Sequence, residues 1–340
     1  MGLNIVALAA WMAPALAAEA VAVERLERLG GGAIQENWAL DAMVRGGPHA
    51  GTLRLVLRTS SPSGVAVSWG RAEEFAILRV AHGAGVLAPE PLALCTDEAV
   101  IGRTFYLMRR LPGEARGAKL VRDPAVLAQG EALVTEVGRQ MARLHRVTPP
   151  VADLGFMPHP GPEPGLARVA EYRRHLDGMD AAEPVLEWAL SWLARRAPPN
   201  PEVRLIHGDF RTGNFLVHEG RLGGVLDWEF AAFGSPEEDL GWMLARCWRF
   251  GAWAREAGGL GSRKALLEGY AAESGRPVDR DAVAWWEVMA TVRWAVIALM
   301  QAERHYSGAE PSLEMALTAH LLPSLELDLL TRIAEIEAAG

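Results

Sequence analysis

The chain has 340 residues, half of them apolar and 22% charged, with a formal net charge of −8. That length suits about two domains or lobes, and the composition is that of a folded soluble chain rather than a disordered one. The negative charge counts against nucleic-acid binding, and two cysteines, Cys95 and Cys247, support neither a disulfide framework nor a cysteine-rich zinc site.

A reducing, cytoplasmic setting fits that cysteine usage. Only Lys119 and Lys264 among the 34 basic residues are lysines. Neither follows the glycines of a Walker A loop, which excludes a P-loop nucleotide site.

Ile5 to Ala18 is apolar, no Lys or Arg precedes it, and Pro14 falls near its end. The expectation is a short N-terminal helix over residues 1–20, not a secretory signal or a membrane span. From Val21 to Leu57 the pattern alternates around the cluster Gly30-Gly31-Gly32, and Leu53–Leu57 reads as a strand. Glu73–Ala81 has helical spacing, Val86–Leu94 is a proline-punctuated strand region, and the strand Thr104–Leu111 is stopped by Pro112-Gly113.

Pro124–Val147 carries Leu127, Leu133, Val137, Met141 and Leu144 on one helical face. A loop with six prolines covers 148–164, helices follow around Ala167–Asp177 and Pro184–Arg196, and nearly everything from Leu240 onward reads as helix. The apolar stretch Trp285–Met300 holds Glu287 and Arg293, which marks a core helix rather than a membrane span. The fold class is α+β. A small antiparallel sheet lobe over 21–111 precedes a mainly helical lobe over 112–340.

The chemistry concentrates between residues 204 and 240. His207-Gly208-Asp209 is followed by four residues and Asn214, then by the strand Phe215–His218, the turn Glu219-Gly220, a strand from Leu222 to Leu226, and Asp227-Trp228-Glu229. A hairpin centred between Gly220 and Arg221 sets Asn214 opposite Asp227. A side-chain amide oxygen and a carboxylate are hard donors that suit Mg²⁺. Asp209, on the loop before them, is placed to accept a proton from a hydroxyl nucleophile. This is a set for phosphoryl transfer.

The segments His207–Asn214, Val225–Glu229 and Gly234–Leu240 together resemble the aminoglycoside phosphotransferase and choline kinase family, within the protein-kinase-like fold. The resemblance runs from about Leu29 to Glu303. It is strongest to the branch of kinase domains fused to acyl-CoA dehydrogenases. It implies a two-lobed small-molecule kinase using ATP and Mg²⁺, with Asp209 catalytic and Asn214 and Asp227 on the metal. Gly31 and Gly32 would cover the phosphates. Arg58 stands where such kinases usually carry Lys, and Glu74 would be its helical partner. An arginine keeps the charge and can bridge two phosphate oxygens. Met108, Arg109 and Leu111 resemble the hinge that binds adenine.

His207 is expected to hold the catalytic loop through hydrogen bonds. For Asp239, a first-turn acid favoured by the helix dipole and a brace of that loop both fit. Six of the 12 tryptophans lie in the C-terminal helices, interspersed with Arg246, Arg249 and Arg293. Trp242, Arg246 and Arg293 are therefore candidate substrate contacts, favouring an anionic or apolar hydroxylated acceptor of hydroxyacyl type. Rival readings are an aminoglycoside or other antibiotic kinase and a non-catalytic nucleotide-binding pseudokinase. Neither nucleic acid nor membrane is expected as a partner.

Overall fold

The computed structural model describes residues 3–30, 35–60, 68–179, 182–199 and 202–339. It divides into two compact units, the first made of Met1–Gly113, Pro150–Phe156 and Gly223–Ala231, the second of the remainder. The first unit thus takes back two later segments that a single cut after residue 111 leaves in the helical half.

The first unit is built on a five-stranded antiparallel sheet of order β1-β2-β3-β5-β4. Its strands are β1 (Ala20–Arg28), β2 (Gln35–Arg45), β3 (Gly51–Ser60), β4 (Pro91–Cys95) and β5 (Phe105–Arg109). Successive side chains on a strand face opposite ways. Leu53, Leu55 and Leu57 of β3 join Phe105 and Leu107 of β5 in a core with Leu8, Met12 and Leu16. Leu8 and Met12 belong to α1 (Ile5–Ala15), whose start is capped by the Asn4 side chain accepting from Ala7 N at 3.1 Å. Pro14 sits in the last turn of α1, and the helix stops at Ala15, short of the expected 1–20. Arg58 and Tyr106 fall on the other face and meet α2 (Arg71–Gly83), through Glu74 and through a Phe75–Tyr106 ring contact at 5.7 Å.

The second unit is mainly helical. After the short α3 (Gly117–Leu120) and α4 (Pro124–Leu127) come α5 (Gly130–Leu144), α6 (Pro164–Asp177) and α7 (Pro184–Arg195). The expected helix from Pro124 is therefore two helices. Later come α8 (Pro236–Leu244), α9 (Arg263–Ser274), α10 (Arg280–Tyr306), α11 (Leu313–Thr318) and α12 (Leu322–Ala339). Helices α5 and α9 approach closely because each presents a glycine: a Cβ on Gly138 would lie 2.2 Å from Leu266 O, and one on Gly269 2.1 Å from Thr135 O. Helix α10 is long and apolar enough to cross a membrane by length and composition, but Trp285, Val288, Val292 and Val296 bury it against α6, α7 and α12.

Two small sheets carry the chemical segment. β6 (Arg204–Ile206) pairs with β9 (Ala232–Gly234), and β7 (Phe215–His218) pairs with β8 (Arg221–Val225), which straddles the unit boundary. The β7–β8 turn is Glu219-Gly220, with φ of 50° and 73°. Two central residues in the left-handed region make the tight turn that matches strand twist. Its centre is one residue earlier than the sequence reading assumed, so the Asn214–Asp227 register inferred from that reading does not follow from the turn.

Candidate active site

In the first unit the sheet register sets Arg58 between Asn37 and Tyr106. The guanidinium donates from Nε to Glu74 Oε2 at 3.0 Å, and its Nη2 lies 2.8 Å from Glu74 Oε1. Nη2 also donates to Asp227 Oδ1 at 2.6 Å. Paired N–H···O bonds of this kind are strong and directional. Arg58 is 6% exposed and Glu74 fully buried, so each charge needs ionic partners to be tolerated there. Burial acts to lower the affinity of Arg58 for its proton, but the charges of Glu74 and Asp227 outweigh it and hold the group well above its ordinary range.

A second arginine, not singled out from the sequence, completes this cluster. Arg71 ion-pairs with Glu74 from one turn earlier on α2, donates to Trp69 O at 2.9 Å and lies 3.8 Å from Glu229 Oε2. Trp69 in turn donates from its backbone to Glu229 O at 3.0 Å and from its indole to Ala231 O at 2.7 Å. The start of α2 is thereby fastened to the segment that follows Asp227. Asp227 itself has φ 66° and ψ 68°, an uncommon backbone for a residue other than glycine. Burial and then the Asp227 charge push the Glu229 carboxyl up to about 7.

Two arginines here face three carboxylates, Glu74, Asp227 and Glu229. The Asp227 side chain keeps a third of its surface exposed, while those of Arg58, Arg71, Glu74 and Glu229 keep less than a tenth. Asp227 is thus the most exposed carboxylate of the cluster, and a carboxylate oxygen is a hard donor of the kind a divalent cation takes, although among the described residues no three His, Cys, Asp or Glu side chains are grouped to hold a metal ion.

In the second unit the loop between β6 and β7 is fixed from several sides. Asp239, near the start of α8, accepts from the backbone N–H groups of His207 and Gly208 at 2.8 and 2.9 Å. Its Oδ2 also lies 3.1 Å from His145 Nε2, and His145 Nδ1 is 3.0 Å from the Tyr270 hydroxyl. Burial would raise the Asp239 carboxyl, but the hydrogen bond and charge of His145 prevail and hold it below the usual aspartate value. His207 is fully buried, and its Nδ1 accepts from Asp209 N at 3.2 Å. Asp239 and His207 thus both bond the backbone of this loop. His145, which sequence spacing presents as an ordinary packed helix residue, belongs to the same network.

Both carboxylate oxygens of Asp209 are engaged. Oδ1 accepts from Trp242 Nε1 at 2.7 Å and Arg211 Nε at 3.1 Å, and Oδ2 accepts from Asn214 Nδ2 at 2.5 Å. Asn214 Nδ2 also donates to Asp209 O at 2.9 Å. With its amide nitrogen turned to Asp209, the atom Asn214 can offer a cation is its Oδ1.

The expected substrate contacts fall elsewhere. Trp242 is 2% exposed and turned to Asp209. Arg293 donates to Gly208 O at 2.5 Å and lies over the Trp242 ring at 4.3 Å. Arg246 is half exposed, 3.3 Å from Asp328, with its guanidinium over Trp253. The expected phosphate-covering residues Gly31 and Gly32 lie outside the described residues. Met108 and Arg109 end β5, and the N–H groups of Arg109 and Arg110 are taken by Glu90 O and Arg54 O at 2.9 and 3.0 Å. Leu111, just beyond, packs against Gly224.

The family model described as the phosphotransferase enzyme family, APH, matches residues 25–286. The chain is 34% identical over 177 residues to acyl-CoA dehydrogenase family member 11 of Gallus gallus, covering 49% of this chain and 22% of that protein. It is 31% identical over 198 residues to acyl-CoA dehydrogenase family member 10 of Mus musculus, covering 55% and 18%. It therefore spans about a fifth of the length of these curated relatives.

Among solved structures, a Ralstonia eutropha JMP134 protein assigned to the aminoglycoside phosphotransferases superposes with a TM-score of 0.75 at 22% identity over 96% of each chain. A choline/ethanolamine kinase family protein from Mesorhizobium loti gives 0.55 at 18% identity over 92% of each chain. An APH(4)-Ia mutant in complex with AMP-PNP and hygromycin B gives 0.61 at 18% identity over 92% of this chain and 95% of that one. The fold is the two-lobed protein-kinase-like α+β fold.

Proposed function

The chain belongs to the phosphotransferase enzyme family, and on that premise we propose that it transfers the γ-phosphate of ATP to a hydroxyl of a small anionic or apolar molecule. The observation that carries this reading is Asp209, a loop carboxylate whose two oxygens are fixed by three donors. A carboxylate so fixed suits a general base, because positioning supplies most of the rate in phosphoryl transfer. In the step proposed, the acceptor oxygen bonds to the γ-phosphorus, the bond from phosphorus to the β–γ bridging oxygen breaks, and the hydroxyl proton passes to Asp209. Arg58, held by Glu74, would contact the phosphates, and the backbone at Leu111 would meet adenine. Asn214 and Asp227 would hold Mg²⁺, which when bound neutralises phosphate charge.

The acceptor class has its own support. An open depression on the surface of the second unit is lined by Arg116, Ala118, Lys119, Arg122 and Asp123. Three cations on one wall suit a carboxylate or phosphate better than a polycation. The names of the curated relatives also point towards acyl thioester metabolism. The test is ADP release from MgATP across hydroxylated metabolites and hydroxyacyl-CoA thioesters, with wild type and Asp209→Asn. Turnover on an anionic acceptor, lost in Asp209→Asn, is expected. Equal turnover in both proteins would remove the assignment of Asp209. Aminoglycoside tolerance conferred on a sensitive bacterium, and lost in Asp209→Asn, would replace the proposed acceptor class by the antibiotics.

A further inference from the structure

Asp239 and Trp242 lie three residues apart on α8 and so share a helix face. The first takes the backbone N–H groups of His207 and Gly208, and the second gives its indole N–H to the Asp209 carboxylate. One short helix therefore holds both the main chain and the side chain of the catalytic segment. That helix is itself seated tightly on α10, since a Cβ on Gly241 would come within 2.6 Å of the Trp286 backbone.

The indole is held on both sides. Arg293 of α10 lies over it at 4.3 Å, and Trp248 packs against it at 5.1 Å between centroids. Arg211 lies over Trp248 at 4.2 Å, and Trp294 meets Trp248 at 4.9 Å. Both ends of the stack Arg293–Trp242–Trp248–Arg211 return to the same loop, Arg293 through Gly208 O and Arg211 through Asp209 Oδ1. Cations over indole faces are attracted by the ring quadrupole, most strongly when desolvated, and here both guanidinium groups also bond the loop.

We propose that Trp242 is a positioning residue for phosphoryl transfer: its N–H sets the rotamer of the Asp209 carboxylate, and Arg293 and Trp248 set the indole. The inference rests on the reading of Asp209 as the base. Its physical content is that a carboxylate with a free torsion samples positions from which it cannot take the acceptor proton. A misplacement of about 1 Å in such a group costs on the order of 100-fold in rate.

The experiment replaces Trp242 by 3-benzothienyl-alanine, which keeps the bicyclic shape and ring face but has no N–H, alongside Trp242→Phe, Asp209→Asn and the surface control Trp253→Phe. ADP release from MgATP with water as acceptor gives kcat and the KM for ATP. A second readout, independent of turnover, is the Trp242 indole ¹H–¹⁵N signal, identified by its loss in Trp242→Phe.

The benzothienyl variant is expected to lose about 10- to 100-fold in kcat, with KM within about twofold and an unchanged melting temperature. Trp253→Phe should match wild type, and the indole signal should move in Asp209→Asn. Wild-type kcat in the benzothienyl variant, with Asp209→Asn inactive, would reduce Trp242 to packing while leaving Asp209 as the base. Wild-type turnover in Asp209→Asn would remove the base and this inference together. An indole signal unmoved by Asp209→Asn would also overturn it.

Discussion

Asp239→Asn removes one acceptor and inserts a donor at the most constrained point of the loop. The carboxylate is fully buried and accepts from His207 N, Gly208 N and His145. Each bond to a charged acceptor contributes about 1.5–3 kcal/mol, and a buried donor left without a partner costs about 1–3 kcal/mol. The asparagine oxygen can serve one backbone N–H, while its NH₂ must face the other. The two effects sum to about 2.5–6 kcal/mol of stability. At roughly 2–4 °C per kcal/mol for a unit of this size, the melting temperature should fall on the order of 10 °C.

Calorimetry of both proteins between pH 3 and 8 checks this. The Asp239 carboxyl is held below the ordinary aspartate value of 3.8, so its contribution is complete above that pH and is lost as pH falls through the lower folded value. The gap between the proteins should therefore persist from pH 8 to pH 5 and close only below about pH 4. Melting temperatures within 1 °C of each other at pH 7 would refute the reasoning, as would a gap that closes already between pH 7 and pH 5.

Arg58→Ala and Glu74→Ala should each raise the KM for ATP and lower turnover, and the double variant should fall short of additivity because the two side chains act as a unit; fully additive kinetics would separate them. Asp227→Ala should abolish Mg²⁺-dependent ADP release while leaving the circular-dichroism spectrum unchanged, and wild-type turnover would remove Asp227 from the metal. Glu229 is pushed up to about 7 from 4.5, so the folded state binds the extra proton and stability should decline as pH rises from about 4.5 to 7. Glu229→Gln should flatten that decline, by at most about 3 kcal/mol, in melts taken from pH 4 to 8. Gly138→Ala should destabilise by about 1–3 kcal/mol, read by urea unfolding, because the added methyl meets the Leu266 carbonyl rather than a yielding side chain.

Parts of this site were legible because their chemistry is local in sequence. His207, Asp209 and Asn214 span a single loop, and the Arg58–Glu74 pair joins a strand to the next helix. The strands and helices that position them were legible from alternation and from helical spacing. The turn residues Glu219 and Gly220 were legible too, but the hairpin register was not: its centre was set between Gly220 and Arg221, whereas the positive φ falls on Glu219 and Gly220 themselves. The pairs Arg71–Glu229 and His145–Asp239 were also invisible, since each joins segments that meet only once the chain is folded. Trp242 and Arg293 were visible as an unusual composition but not as a direction: the same residues can line a pocket or support a loop.

That last ambiguity bears on the acceptor. The arginine-rich helices suggested an anion site, yet Arg293 is committed to Gly208 O and Arg246 to Asp328. Arg249 bonds Leu244 O and Trp253 O, and burial lowers its affinity for a proton. Of the three, Arg293 holds the loop that carries Asp209, while Arg246 and Arg249 bond residues outside it. For the proposed anionic acceptor there remains the open surface lined by Arg116, Lys119 and Arg122, Lys119 being one of the chain's two lysines. Glu114 already bridges Arg116 and Lys119, through bonds that hold its carboxyl well below the usual range. Arg116, Lys119 and Arg122 are all exposed. Two regions rich in arginine thus divide the tasks that composition had assigned to one: Arg293 and Arg211 bond the loop that carries the proposed base, and the open surface at Arg116, Lys119 and Arg122 offers the positive charge that the proposed anionic acceptor would meet.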